Sequence, residues 1–270
     1  MVISKFMNKS FFERLISGII LVIIALITII LGNDVLLVTV GIVSLIGLYE
    51  MNRVFGIEKY ATGILSYIAV IIYYAMLRFN MMTYVPFLIV ALLIACMAVY
   101  VFEFPKCKTE QVMAAIFGTI YVAVMLSFVY LVRMGNNGAY NVWLIFLCSW
   151  GSDTCAYVFG VAFGKHKMAP VLSPKKSIEG AVGGVVGAAV LGAIYAAVTH
   201  GPVVEYAVIC AVGALISMVG DLAASAIKRN RGIKDYGKLI PGHGGILDRF
   251  DSVIFTSPII FYLAKMLLGL

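Results

Sequence analysis

The sequence predicts an all-α, polytopic integral membrane protein with about nine transmembrane helices. Its composition is the first reason: 63% of the 270 residues are hydrophobic and 12% are charged, with a mean hydropathy of +1.05. Soluble domains carry about 25% charged residues. The second reason is that the apolar residues form nine runs of roughly helical membrane-crossing length. The third is that the positive charges gather in alternate connecting segments.

The nine apolar runs define the predicted spans. A straight transmembrane helix needs about 20 residues. Several runs are shorter than this, so their boundaries are approximate. The predicted spans are Leu15–Leu31, Val35–Tyr49, Ile64–Leu77, Tyr84–Val101, Val112–Val132, Asn141–Phe163, Ile178–Val198, Val203–Ile227 and Ser252–Leu268.

The lysines and arginines predict the orientation of these spans. If the N-terminus is cytoplasmic, the inner segments contain every Lys and Arg except Arg78, Arg133 and Lys265. Positive charge is retained on the cytoplasmic side of membrane proteins. The sequence therefore predicts a cytoplasmic N-terminus and an external C-terminus, and the net charge of +7 is explained without a nucleic-acid partner. The inner segments are residues 1–14, 50–63, 102–111, 164–177 and 228–251.

Polar residues divide the chain near residue 140. Residues 1–140, with spans one to five, hold their polar groups almost entirely in loops and are predicted to be structural. Residues 141–270 form the predicted catalytic region, because Asp153, Glu179 and Asp221 intrude into its spans. An ionisable group inside a membrane is costly and usually faces a wet cavity or a cation. A hydrogen-bonded packing role is the alternative for any one of them.

The end of the eighth span carries a candidate catalytic face. Asp221, Ser225 and Lys228 have the spacing i, i+4, i+7, which places them on one side of a helix. An acid, a hydroxyl and an amine arranged in this way suit a divalent cation and a phosphate. A solvated helix end would explain Lys228 and Arg229, but not Asp221.

Asp248 and Asp251 are candidate metal ligands at the start of the ninth span. With Asp221 they could form a carboxylate set for Mg²⁺, which prefers one or two carboxylates plus water and phosphate oxygens. Two-ion clamps of this kind serve nucleotidyl transfer. The alternative is that acidic residues simply favour a helix N-terminus.

A glycine-rich run precedes these carboxylates. Gly242, Gly244 and Gly245 can expose successive backbone N–H groups to an anion. His243 could bind phosphate or complete a turn. Alone, such a run is weak evidence for a nucleotide site.

The loop before the seventh span is a second candidate phosphate site. Lys175, Lys176 and Ser177 lie directly before a helix N-terminus, which suits a phosphate. Ordinary cytoplasmic positive charge, with Ser177 as a helix cap, is the alternative. The glycines that follow have the spacing of a helix-packing face rather than of a nucleotide loop. They are Gly180, Gly183, Gly184 and Gly187.

Together these residues resemble the bacterial phosphatidate cytidylyltransferases, the CDP-diacylglycerol synthases. Supporting blocks lie around Asp153, Lys175 and Asp221, so the resemblance runs from about residue 140 to the C-terminus. Two positions depart from the common pattern: Ser177 replaces a usual Thr, and Ala224 replaces a frequent Glu. The diagnostic motif reads Ser225-x-x-Lys228-Arg229-x4-Lys234-Asp235-x-Gly237-x3-Pro241-Gly-His243-Gly244-Gly245-x2-Asp248-Arg249-x-Asp251.

The resemblance implies transfer of CMP from CTP to phosphatidate at the cytosolic face of the cytoplasmic membrane. It implies Mg²⁺, with a second cation left open, and a homodimer as a further expectation. We assign Asp221 and Asp248 as metal ligands, with Asp251 and Asp153 contributing. Lys175, Lys176 and Ser177 would hold the phosphatidate head group or a CTP phosphate. Lys228, Arg229 and Lys234 would hold the triphosphate, with the glycine-rich run from Gly242. The predicted substrate-binding residues other than Lys175, Lys176 and Ser177 are Arg229, Lys234, Gly242, His243, Gly244, Gly245 and Arg249.

Three other functions are alternatives to this one. A polyprenol kinase would also use CTP at a membrane, but it transfers the γ-phosphoryl group and releases CDP. An ion-coupled transporter would place polar residues at the midplane of both halves, whereas here they gather at the inner ends of the last four spans. A structural scaffold leaves the aspartates and glycines unexplained.

Overall fold

A computed structural model describes residues 9–242 and 244–270, with side chains from Ile16 onward. The described chain is almost entirely helical. The predicted inner segment 1–14 and the candidate His243 lie outside the residues whose side chains are described. The helices are α1 (Lys9–Leu31), α2 (Asn33–Val54), α3 (Ala61–Arg78), α4 (Val85–Phe102), α5 (Thr109–Gly118), α6 (Met125–Met134), α7 (Gly138–Phe146), α8 (Ser152–Phe163), α9 (Ile178–Thr199), α10 (Val203–Asn230) and α11 (Leu247–Leu268).

Each predicted span lies within one continuous helical segment. In the described residues, eight of these segments are long and apolar enough to cross a membrane, and Ile16–Leu31 adds a shorter apolar helix. The predicted class, an all-α polytopic membrane protein, is therefore supported. The count of nine crossings and the orientation of the termini stay predictions. The helices also extend past the apolar runs, as α2 does from Tyr49 to Val54, because polar residues can continue a helix beyond the hydrophobic stretch.

Two spans contain π-helical stretches. Thr119–Val124 joins α5 to α6, and Leu147–Gly151 joins α7 to α8. A π-helical turn offsets the register of the residues that follow, and such turns are frequent at functional sites. The second stretch ends two residues before Asp153.

The loop between α8 and α9 contains a hairpin that the sequence did not predict. Strand β1 (Lys167–Ala169) pairs antiparallel with β2 (Ser173–Ser177). Neither strand shows the apolar alternation by which half-buried strands are recognised, since lysine and serine dominate them. This pairing brings Ser177 opposite Lys167, and α9 begins at the next residue.

The described chain divides into two compact units. The first runs to Ser127 and includes Asp235–Arg249, while the second comprises Phe128–Lys234 and Phe250–Leu270. A buried cluster around Ile57, Cys96 and Ala115 forms part of the core of the first unit. This division follows packing, and it assigns the loop before α11 to the unit that contains the early helices. The functional boundary near residue 140 stays a prediction.

In the second unit, α9 packs along both α8 and α10. A Cβ atom at Gly183 would collide with Phe159, one at Gly187 would lie 2.6 Å from Cys155, and one at Gly184 would lie 3.0 Å from Ala156. The predicted packing role of these glycines is confirmed. Their small size allows α8 and α9 to approach closely, and both helices contribute to the site described next.

Candidate active site

A cavity of about 410 Å³ lies in the second unit. It is bordered by α8, the hairpin, α9 and α10. Its charged and polar lining consists of Asp153, Lys175, Lys176, Ser177 and Asp221. The sequence predicted all five as site residues, and the structure brings them together although they are up to 68 positions apart in the chain.

Apolar side chains form the rest of this cavity's wall. Tyr157, Val161 and Met218 line it, and the first two are 72% exposed on α8. Exposed apolar side chains on a membrane-length helix suit contact with lipid tails. The cavity therefore combines a charged part with a part that is compatible with acyl chains.

Asp221 interacts with several charged side chains of this unit. Its carboxylate forms an ion pair with Lys176, and the two side chains are 26% and 25% exposed. The Asp153 carboxylate interacts electrostatically with both of them. Asp251 interacts electrostatically with Asp221, Asp153 and Lys228. Three carboxylates and two lysines thus form one charged network.

The helices place Asp251 beside this network through a close approach. Gly220 lies against α11, where a Cβ atom would be 3.0 Å from the backbone oxygen of Asp251 and 2.9 Å from Cβ of Phe255. A larger residue at this position would push the two helices apart. Gly220 therefore allows Asp221 and Asp251 to come near each other.

The helical spacing predicted for α10 is confirmed, and the catalytic roles of its three residues stay predictions. The helix continues to Asn230, so Asp221, Ser225 and Lys228 lie on one side of it at one-turn intervals. Lys228 is buried. The positive charges in the last turn also lie beside the negative end of the helix dipole, which is a stabilising arrangement.

The N-terminus of α9 is fixed by two side chains. The Ser177 hydroxyl accepts a hydrogen bond from the Gly180 N–H at 3.1 Å, as predicted for a cap. Glu179 accepts backbone N–H bonds from Lys165 and His166, and its Oε1 lies 2.6 Å from Nδ1 of His166. Glu179 therefore anchors the hairpin, and the aspartates are left as the carboxylates that face the cavity.

The charged network has oxygen donors that suit a divalent cation. Among the described residues, no three His, Cys, Asp or Glu side chains converge closely enough to ligate one ion. Mg²⁺ does not need such a cage, because one or two carboxylates with water and substrate phosphate suffice. The Asp153, Asp221 and Asp251 carboxyl groups supply oxygen ligands of the kind that Mg²⁺ prefers. The donor set fits Mg²⁺ held mainly through Asp221.

The first unit holds the glycine-rich loop and Asp248. Asp248 lies in the first turn of α11, and its Oδ2 accepts the N–H groups of Gly245 at 2.9 Å and Tyr236 at 2.8 Å. Gly242 and Gly244 have φ angles of 74° and 87°, a region that glycine adopts without strain. Asp248 therefore shapes the loop, and its assignment as a metal ligand stays a prediction.

Three predicted basic residues are exposed outside the cavity lining. Arg229 donates to the Ile233 carbonyl at 3.2 Å beyond the end of α10. Lys234 lies in the loop that follows, and Arg249 lies in the first turn of α11. Their roles in binding CTP stay predictions.

Glu50 and Arg53, which hold the glycine-rich loop from α2, are not among the site residues predicted from the sequence. Glu50 is 3% exposed and accepts the N–H groups of Ile246 and Leu247 at 3.1 and 3.0 Å. A carboxylate directly after the predicted span Val35–Tyr49 was the available signal. It was assigned to an inner loop, whereas α2 continues through it.

The chain is similar to known proteins over most of its length. Residues 12–267 match the family described as the Cytidylyltransferase family. A protein named phosphatidate cytidylyltransferase from Staphylococcus aureus (strain COL) is 34% identical over 253 residues, covering 92% of this chain and 96% of that protein. A protein of the same name from Staphylococcus saprophyticus subsp. saprophyticus is 37% identical over 139 residues, covering 51% of this chain and 54% of that protein.

Proposed function

Because the chain belongs to the cytidylyltransferase family, we propose that it transfers CMP from CTP to phosphatidate, giving CDP-diacylglycerol and pyrophosphate. The observation that carries the proposal is the cavity of the second unit. It combines Asp221, Lys175 and Lys176 with apolar side chains on membrane-length helices. A site that activates a lipid phosphate needs this combination, whereas a site for a soluble substrate does not.

The chemistry requires little proton transfer. A phosphate oxygen of phosphatidate attacks the α-phosphorus of CTP, and the bond from that phosphorus to the bridging oxygen of the β-phosphate breaks as pyrophosphate leaves. The attacking phosphate is already ionised near neutral pH, because its second pKa is about 6. The protein must mainly neutralise two polyanions and hold them in line. Lysines and carboxylate-held cations meet the first demand.

We assign the cavity to the phosphatidate head group. Lys175 is exposed at its edge, and the Ser177 hydroxyl can donate to a phosphate while it accepts from Gly180. The neighbouring Tyr157 and Val161 suit the first methylenes of the acyl chains. Lys176 forms its ion pair with Asp221, so a phosphate that drew Lys176 toward itself would leave Asp221 for a cation.

Mg²⁺ is the cation that this proposal requires. Asp221 would hold it, with Asp153 and Asp251 contributing directly or through water. When bound, it supplies charge neutralisation to the phosphates. Asp248 remains a second predicted ligand.

We assign the triphosphate of CTP to the glycine-rich loop of the first unit. Its left-handed glycines, Gly242 and Gly244, can turn backbone N–H groups toward an anion. The roles of Lys228, Arg229 and Lys234 in holding the triphosphate stay predictions from the sequence. Because CTP is a cytosolic metabolite, this assignment requires the loop to face the cytosol. The distribution of lysines and arginines supports that orientation of the protein in the cytoplasmic membrane. A homodimer stays a prediction from the resemblance.

The test is an assay of the purified protein in detergent micelles with phosphatidate, Mg²⁺ and CTP labelled in its cytosine ring. We expect the label to become lipid-extractable, with one pyrophosphate released per label transferred and with loss of activity in EDTA. The control omits phosphatidate. Release of CDP without lipid label would instead identify a CTP-dependent lipid kinase, and transfer that persists in EDTA would contradict the metal assignment.

A further inference from the structure

Glu50 is a buried carboxylate that the reaction scheme above does not use. It lies in the last turn of α2 and is 3% exposed. A buried charge is costly unless it is fully hydrogen-bonded. Its Oε1 accepts the Ile246 N–H at 3.1 Å, and its Oε2 accepts the Leu247 N–H at 3.0 Å. Glu50 therefore satisfies N–H groups at the start of α11, which have no acceptor within their own helix.

Arg53 holds the other end of the same loop. It follows Glu50 by three residues, and its Nη2 donates to the Tyr236 carbonyl at 2.6 Å. Tyr236 is 1% exposed, and its own N–H donates to Asp248. The C-terminal end of α2 thus forms hydrogen bonds with both ends of the segment from Tyr236 to Leu247.

The position of Glu50 also explains two glycines of the motif. A Cβ atom at either Gly237 or Gly245 would collide with the Glu50 carboxylate. These positions therefore require glycine because of the approach of Glu50, whatever the loop binds. The glycines with left-handed φ angles, Gly242 and Gly244, lie between them.

The middle of the loop is exposed. Leu239 is 57% exposed, and Pro241 and Gly242 are also exposed. A backbone hydrogen bond from Ile240 N–H to the Gly244 carbonyl, at 2.8 Å, closes the turn. Turns that expose successive backbone N–H groups can bind anions, and the hydrogen bonds at the two ends of this loop would hold such a turn in place.

We infer that Glu50, together with Arg53, is a positioning residue that fixes the segment Tyr236–Leu247 in the conformation that receives the triphosphate of CTP. The early helices then contribute to the reaction through the end of α2. This inference rests on the proposed assignment of the loop to CTP.

The test compares Glu50→Gln with the wild type. Glutamine keeps the volume but has one acceptor oxygen, so one of the two N–H groups faces an amide donor. We expect KM for CTP to rise by about tenfold, as for the loss of one hydrogen bond to a charged group. The kcat and the KM for phosphatidate should change by less than about twofold. A general loss of structure would lower kcat as well.

Amide hydrogen exchange gives a readout that does not need the reaction. Peptides covering residues 236–247 should exchange faster in Glu50→Gln than in the wild type, without CTP present, while peptides from α9 stay unchanged. Glu103→Gln is the matched control, because Glu103 is an exposed glutamate in the same unit. It should match the wild type in both measurements.

The outcomes separate the two proposals. If residues 236–247 exchange at the wild-type rate in Glu50→Gln, Glu50 does not hold the loop. If they exchange faster but the KM for CTP is unchanged, the loop's conformation does not matter for binding CTP. If Glu50→Gln does not fold, Arg53→Gln removes the bond to Tyr236 and carries the same expectations. If the wild type transfers no CMP, the proposed function has failed, and the exchange experiment still decides whether Glu50 holds the loop.

Discussion

Asp221 combines two roles that a carboxylate rarely has in an apolar helix. It pairs with Lys176, and it interacts electrostatically with Asp153 and Asp251. The first interaction reduces the cost of burying its charge, and the neighbouring carboxylates add oxygen ligands to the proposed cation site. A residue with both properties should be needed for activity more than for folding.

Asp221→Asn should therefore abolish transfer while the protein still inserts and folds. Asparagine keeps the size of the side chain but loses the charge that is proposed to hold the cation, so we expect kcat to fall at least about 100-fold. The measurement is CMP transfer by protein that elutes as the wild type does in size-exclusion chromatography. Asp34→Asn is the control, because Asp34 also pairs with a basic residue, Arg78, but both side chains are exposed. Activity of Asp221→Asn within threefold of the wild type would remove Asp221 from the cation site.

Local spacing made part of this site predictable from the sequence. Asp221, Ser225 and Lys228 needed only the period of a helix to be placed on one face. The Lys176 to Asp221 pair and the Glu50 to Leu247 hydrogen bond join residues that are distant in the chain. No periodicity encodes such contacts, so the first was proposed only as a shared site and the second was missed.

At the level of elements, the close packing of α8 and α9 builds the cavity. Both helices contribute to its lining, and Gly183 lies directly against Phe159. The spacing between these helices therefore sets the width of the proposed lipid site.

Gly183→Leu should separate α8 from α9. The added side chain would overpack the contact with Phe159, at a cost of about 1–3 kcal/mol, and we expect Tm to fall by several degrees together with an increase in KM for phosphatidate. Val182→Leu introduces the same residue at a neighbouring position that is 59% exposed, and it should leave both quantities unchanged. Thermal unfolding in detergent and steady-state kinetics provide the measurements. An unchanged Tm in Gly183→Leu would contradict the packing role.

The elements differed in how well the sequence specified them. Long apolar runs predicted every helical span, because hydrophobicity alone determines which segments cross a bilayer. The β1–β2 hairpin was not predicted, since its strands are three and five residues long and carry no apolar alternation. The anchor that Glu179 provides for this hairpin also depends on folding, because it uses backbone N–H groups at Lys165 and His166.

Across the whole molecule, charge and hydropathy together predict how the chain crosses the membrane. Eight described helices have the length and composition of spans, and the lysines and arginines fall almost entirely in alternate connections. This asymmetry predicts an odd number of crossings between the two termini. The α1 segment is then predicted to cross as well, and its described apolar part, Ile16–Leu31, is shorter than the other eight segments.

Cysteine labelling tests this orientation. In a variant whose five cysteines are replaced by alanine or serine, Asn136→Cys and Lys59→Cys each introduce one thiol at an exposed position. A membrane-impermeant maleimide added to intact cells should label Asn136→Cys, because its loop is predicted to be external, and should label Lys59→Cys only after permeabilisation. The cysteine-free parent controls for background. Labelling of Lys59→Cys but not of Asn136→Cys in intact cells would reverse the predicted orientation. Labelling of both would mean an even number of crossings between residues 59 and 136, and the count of nine spans would then be wrong.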